Sequence, residues 1–160
     1  MKTVDFILIF LLGFFSCAFV FSLMFASDFE VPFGGGSDGD YENSAPSDWI
    51  SEEDITLLDD KIIINVENAK ISSYKPTGSM KPVLDEGANG IRIVPESADE
   101  IDVGDIISFR KNGILIVHRV VSKGVDSNGV YFVTRGDNNN YPDGKIRFDD
   151  VRYVTIGILY

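Results

Sequence analysis

The chain has 160 residues, 44% of them hydrophobic, and carries 14 Lys and Arg against 25 Asp and Glu, a formal net charge of -11 at pH 7. That length holds one domain with a core of its own and an additional segment at one end. The acidic balance excludes the basic face on which nucleic-acid binding depends, and a single cysteine, Cys17, excludes a disulfide within the chain.

The first predicted element is apolar. Phe6 to Ala26 reads FILIFLLGFFSCAFVFSLMFA, 21 residues without a charge, and at roughly 1.5 Å per residue it crosses a hydrocarbon layer about 30 Å thick. It predicts a retained membrane anchor over residues 1–27. A cleaved secretory signal has a shorter apolar core and a small-x-small end, for which Met24-Phe25-Ala26 is a poor fit. Lys2 and the α-amino group stand on one side and no cation lies close on the other. The positive-inside rule therefore places the N-terminus in the cytoplasm and the remainder outside, in a single-pass protein of the cell membrane whose partner is the lipid bilayer.

Residues 28–60 hold 11 acidic residues and no Lys or Arg, leaving 13 basic and 13 acidic residues in 61–160. The acidity thus sits just past the apolar segment, and the folded part is neutral. Residues 28–60 are expected to form an acidic flexible linker, Gly-rich and self-repelling over Phe33 to Asp40. Within it, Ser47 to Asp54 is a candidate short helix with Ser47 or Ser51 as cap and acids in the first turn.

From Lys61 onward the pattern changes to short β-branched runs between turn residues. Ile62–Val66, Ile91–Val94, Ile106–Phe109, Ile114–Val121, Val130–Thr134 and Val151–Leu159 are predicted strands. Asn112-Gly113 and Asn128-Gly129 mark hairpins between neighbours. The expected fold is mainly β, a compact antiparallel domain over 61–160, built as a sandwich or a partly open barrel. Ile114-Leu115-Ile116-Val117, apolar at every position, is expected to be a central strand covered on both faces. The final Val154–Tyr160 is too short for a second span and reads as a last strand.

Three places carry residues able to do chemistry. In Lys75-Pro76-Thr77-Gly78-Ser79-Met80-Lys81-Pro82, two prolines bracket a glycine, so Ser79 is presented on a stiff, tight turn. The only histidine, His118, follows the apolar run Ile114–Val117 directly, and the turn-forming stretch Thr134–Asp143 carries the carboxylates Asp137 and Asp143. A serine on a rigid turn, a histidine at a strand end and carboxylates on a loop are the ingredients of an activated nucleophile. Which aspartate meets His118 is left open by the residues themselves. One Cys and one His, 101 positions apart, exclude a Cys/His zinc site. The stretch from Asp137 to Asp143 lacks the Gly and closing Glu of a known calcium loop, and Arg135-Gly136-Asp137, an adhesion tripeptide, is too short to carry a reading alone.

These blocks resemble type I signal peptidases of the archaeal and endoplasmic-reticulum branch over roughly residues 72–160. Thr77-Gly78-Ser79-Met80-Lys81-Pro82 resembles the family's Ser-Gly-Ser-Met-x-Pro nucleophile box, and Gly104-Asp105-Ile106-Ile107-Ser108-Phe109 is similar to its Gly-Asp strand. Val117-His118-Arg119-Val120 resembles the general-base box, with His where bacterial members have Lys. Thr134 to Asn139 with Asp143 resembles the Gly-Asp-Asn-Asn-x-x-x-Asp box. Ser79 and His118 are 39 positions apart and His118 and Asp137 only 19, without room for the inserted domain of many bacterial relatives. Two departures are the Thr at 77 in place of the usual Ser, which keeps the hydroxyl, and the lack of a second anchor after Tyr160.

The resemblance implies a serine endopeptidase that removes signal peptides from exported precursor proteins, beside the export machinery and without cofactor or metal. Ser79 is then the nucleophile and His118 the base. Asp143 is favoured as the direct partner of His118 and Asp137 as a loop-fixing neighbour, with the Ser79 N–H and the Thr77 hydroxyl as oxyanion donors. A histidine base predicts activity rising through about pH 6 to 7, several units below a lysine base. Met80, Pro82, Val83 and Leu84 are either an apolar edge beside the nucleophile or plain core. Two other readings are a membrane-anchored, non-catalytic β domain that binds a partner and a self-cleaving Ser-Lys regulator. The first predicts loss of Ser79, His118 or an aspartate; the second predicts a DNA-binding motif and a Lys at 118.

Overall fold

The turn residues and β-branched runs fold into nine strands in a computed structural model that describes residues 43–160. The predicted anchor over 1–27 and the Gly-rich stretch Phe33 to Asp40 lie outside the described residues. Among the described residues no helix is long and apolar enough to cross a membrane.

The strands are β1 (Ile55–Leu57), β2 (Ile62–Ile64), β3 (Lys70–Ser73), β4 (Asn89–Ile93), β5 (Ile106–Lys111), β6 (Ile114–Asp126), β7 (Gly129–Arg135), β8 (Lys145–Arg147) and β9 (Val151–Leu159). β1 and β2 make a separate two-stranded hairpin, and the other seven form one antiparallel sheet in the order β3-β4-β9-β5-β6-β7-β8. The domain is mainly β and antiparallel, as expected, but the strands do not divide into two packed sheets. Asn112, at φ 51, and Gly113, at φ 79, turn β5 into β6, as Asn-Gly hairpins do.

β5 is buried on both faces over most of its length. Its residues Ile106 to Phe109 are all buried, and because successive side chains point to opposite faces, Ile106 and Ile107 feed different clusters. Ile107 and Phe109 join Ile101, Val120, Phe132 and Val154, whereas Ile106 packs with Met80, Leu84 and Ala88. Met80 and Leu84 are therefore core, each 2% exposed, and they root the turn that bears Ser79.

The run Ile114–Val117 departs from expectation. It starts β6, yet Ile114 is 65% and Leu115 47% exposed. An apolar run signals burial only if another layer covers it, and here the sheet leaves this end of the strand open along a cleft. β1 and β2 are likewise exposed at every position.

The segment expected to be linker up to residue 60 joins the domain earlier. The N–H of Ser47 donates to Asp105 Oδ1 at 2.8 Å, its hydroxyl donates to Oδ2 at 3.2 Å, and Trp49 Nε1 donates to Oδ1 at 3.2 Å. Asp105 is wholly buried and also accepts from the Asp102 N–H at 2.9 Å. A buried carboxylate has to collect donors, and this one takes three from residues 47 and 49. Ser51 then caps a single 3-10 turn, Glu52–Asp54, with three acids at its positive end.

Candidate active site

The turn after β3 presents Ser79. Gly78 sits at φ +73, a conformation that a side chain disfavours, and the next turn closes with the Leu84 N–H on Met80 O at 2.8 Å. Ser79 Oγ thus projects from a backbone whose neighbours Met80 and Leu84 are locked in core.

β6 supplies the base. His118 is 7% exposed, its Nε2 is 3.2 Å from Ser79 Oγ, and its Nδ1 is 2.5 Å from Asp143 Oδ2. The buried Phe109 packs beside the imidazole with ring centroids 6.4 Å apart. A carboxylate only accepts, so Nδ1–H donates to Asp143 and the lone pair of Nε2 is left facing the serine hydroxyl.

Asp143 is itself held. Its N–H donates to Thr134 O at 2.8 Å, the buried Thr134 hydroxyl donates to Asp143 Oδ2 at 2.8 Å, and Lys111 Nζ donates to the Asp143 carbonyl. Main chain, side chain and the lysine that ends β5 together hold Asp143 against His118.

Asp137 does not touch His118. Sequence reasoning kept it in the catalytic set but favoured it as a loop-fixing neighbour, and the structure pairs it with Arg119, the next residue on β6, through Nε and Nη2 at 2.8 Å each. His118 and Arg119 point to opposite faces because they are consecutive in a strand, so each takes one carboxylate of the same loop. The pair is buried, with side-chain exposures of 6% for Arg119 and 1% for Asp137. Arg119 Nη1 also donates to Gly104 O at 2.8 Å and to Ser44 O at 3.3 Å.

The loop fixed by Asp137 grips the nucleophile turn. Asn138 donates its N–H to Ser79 O at 2.9 Å and its Nδ2 to Gly78 O at 3.0 Å. Gly136 is needed for this approach, since a Cβ there would lie 2.5 Å from Ser79 O. Arg119, Asn138, Thr134 and Asp105 are positioning residues that single-residue reasoning missed, although all stand inside the blocks on which the family resemblance rests. Thr77 lies beside the nucleophile, its Oγ1 3.2 Å from Ser79 Oγ.

Ser79 and His118 open onto a cleft of about 640 Å³. Its wall includes Tyr74, Thr77, Leu84, Arg92, Ser108, Asn139 and the start of β6, Ile114 to Val117. The lining is mostly apolar, with no Asp or Glu among the described residues. Among the described residues there is also no group of three or more His, Cys, Asp or Glu able to hold a metal. The arrangement is chemically suited to deprotonating a serine hydroxyl at the edge of a largely apolar cleft. Comparison of the chain with protein-family models, with curated proteins and with solved structures finds no match.

Proposed function

We propose that this chain is a membrane-tethered serine endopeptidase that hydrolyses peptide bonds in exported precursors, after a small residue, through an acyl-enzyme. The observation that carries the reading is the linked set Ser79 Oγ, His118 and Asp143, at 3.2 and 2.5 Å, at the edge of an apolar cleft. A lone buried histidine commonly serves structure; one lying between a serine and a fixed carboxylate has the geometry of a general base.

In this mechanism His118 Nε2 takes the Ser79 proton as Oγ attacks the scissile carbonyl carbon. The imidazolium is stabilised by Asp143, whose Oδ2 is held in place by the Thr134 hydroxyl. The Ser79 N–H and the Thr77 hydroxyl receive the developing oxyanion, a contribution of about 2.7 to 4 kcal/mol per donor in serine proteases. Nε2–H then protonates the leaving amine, and water, deprotonated by His118, releases the acyl group. Precursor substrates, the bilayer as site of action and the export machinery as neighbour follow from the sequence resemblance and from Phe6 to Ala26.

The test is cleavage of a labelled exported precursor by detergent-solubilised full-length protein, beside Ser79→Ala, His118→Lys and Asp143→Ala. Wild type is expected to trim the precursor once, after a small residue, with no product from Ser79→Ala. Wild type that is inactive both in detergent and in native membranes would sink the peptidase reading in favour of a binding module.

A further inference from the structure

The cleft carries an electrostatic feature that acyl transfer does not use. Arg92, on β4, lines the same cleft as Ser79 and His118. Its guanidinium is stacked on Tyr153, with Cζ 4.0 Å from the ring centroid, and Lys70, its register partner on β3, places Nζ 5.4 Å from that centroid. Stacking fixes the guanidinium plane and leaves its donors to be satisfied elsewhere. Arg92 Nε is buried without a hydrogen-bond partner, and neither Arg92 nor Lys70 has an ion-pair partner among the described residues. Lys75 is the second cation lining the cleft, whose described lining contains no Asp or Glu. In a folded part with 13 basic and 13 acidic residues, a cleft lining whose Lys, Arg, Asp and Glu are all cations is not an average piece of surface.

We propose that Arg92, flanked by Lys70 and Lys75, is an anion subsite that takes a carboxylate side chain of the bound peptide. The peptidase then prefers, among substrates with equally good small-residue sites, those with an acidic residue in the segment lying along the wall formed by β3 and β4. A guanidinium that has lost water at Nε and gained no acceptor benefits more from a carboxylate than an exposed Arg does. Peptide is favoured over a lipid phosphate as the source because the cation opens into the cleft of the nucleophile. The inference rests on the peptidase reading for its substrate class, and its test has an arm that does not.

The probe is a set of short labelled peptides sharing one small-x-small site. Positions on either side of the scissile bond are changed one at a time to Glu, Lys or Ala. Full-length protein in detergent is assayed for kcat/KM, and its Ser79→Ala form for peptide binding by anisotropy. At one position the Glu peptide is expected to exceed the Lys peptide by about tenfold, between an exposed ion pair and a buried charge-assisted bond. That ratio should shrink with added salt. Arg92→Gln should bring the ratio close to one, and Arg92→Glu should invert it. Because both peptides are read on one preparation, a partly unfolded variant does not distort the ratio.

A binding ratio that inverts in Arg92→Glu supports the subsite even if no peptide is cut, in which case the catalytic reading alone fails. Peptides cut with equal kcat/KM at every position by wild type overturn the subsite and leave the peptidase standing. Equal ratios, together with loss of binding to anionic lipid vesicles in Arg92→Gln, overturn it in favour of a lipid phosphate.

Discussion

Two consecutive residues of β6 divide two tasks. His118 reaches Asp143 at the cleft, and Arg119 holds Asp137 in the interior. Substitution of the two aspartates should therefore fail in different ways. Asp143→Asn is expected to fold with a near-normal thermal midpoint and to lose about 10³ to 10⁴ in kcat, because the imidazole loses its tautomer and its counter-charge. Asp137→Asn is expected to cost about 3 to 5 kcal/mol of stability, since it leaves a buried guanidinium without its ion. Denaturant midpoints beside precursor cleavage check both, and a stable, inactive Asp137→Asn would refute the division. Thr77 gives a finer test. Thr77→Ser should retain activity within a few-fold and Thr77→Val should lose about 10² to 10³ in kcat if the hydroxyl serves the oxyanion. Equal rates for the two variants would remove Thr77 from that role. Sequence reasoning identified the set Thr77, Ser79, His118, Asp137 and Asp143. The residues alone did not divide the aspartates, because both lie on one loop and only strand alternation separates their partners; the family resemblance favoured Asp143.

At the scale of elements, the segment Ser44 to Trp49 is a strap tied to the site by shared groups. Ser47 and Trp49 converge on Asp105, and Ser44 O accepts from the guanidinium that also fixes Asp137 and, through that loop, the Ser79 backbone. Trp49→Phe keeps an aromatic ring but deletes the donor to a buried carboxylate and part of the indole's packing on the core, so a loss of at least about 1 to 2 kcal/mol is expected. Hydrogen exchange should then rise at the Ser47 amide. Unchanged stability and exchange would show that the strap is not held by Asp105. A second tie lies at the β6–β7 end, where Asp126 accepts from Arg147 at 2.9 Å through both oxygens and from Lys145 at 2.7 Å. Hydrogen bonds from Arg147 first, then Lys145 and the Asn128 N–H, hold its carboxyl well below the usual carboxylate range. A depressed folded pKa contributes stability above the ordinary value of about 3.9 and loses it as pH falls further toward the folded pKa. Wild type should thus exceed Asp126→Asn in denaturant midpoint at pH 7, with the two converging below about pH 4. A gap of the same size at pH 7 and at about pH 2 would refute this tie. Turn chemistry was legible here, since Asn112-Gly113 and Asn128-Gly129 do join the expected neighbours. β3 and β8 were not, being edge strands of four and three residues whose pairing comes from β4 and β7.

Over the whole molecule, the hairpin of β1 and β2 stands outside the cores. Ile55, Leu57, Ile62 and Ile64 are all exposed, and the register of Ile55 with Ile64 and Leu57 with Ile62 sets them on one face. Deleting residues 55–64 with a short Gly-Ser replacement should move the thermal midpoint by no more than about 2 to 4 °C, the range of surface changes that touch no core. A larger fall would mean that the hairpin supports the sheet. The sequence by itself determined the antiparallel β class, most strands, the hairpin turns and the candidates Ser79, His118, Asp137 and Asp143, because these follow from local periodicity, turn chemistry and residue type. It also determined that the acidity is concentrated in 28–60. Only the tertiary structure decided that β5 rather than Ile114–Val117 is buried on both faces, that Asp143 rather than Asp137 meets His118, and that Ser44 to Trp49 joins the domain. Each of these depends on which distant segment covers a strand or supplies a donor, and local periodicity carries no record of it.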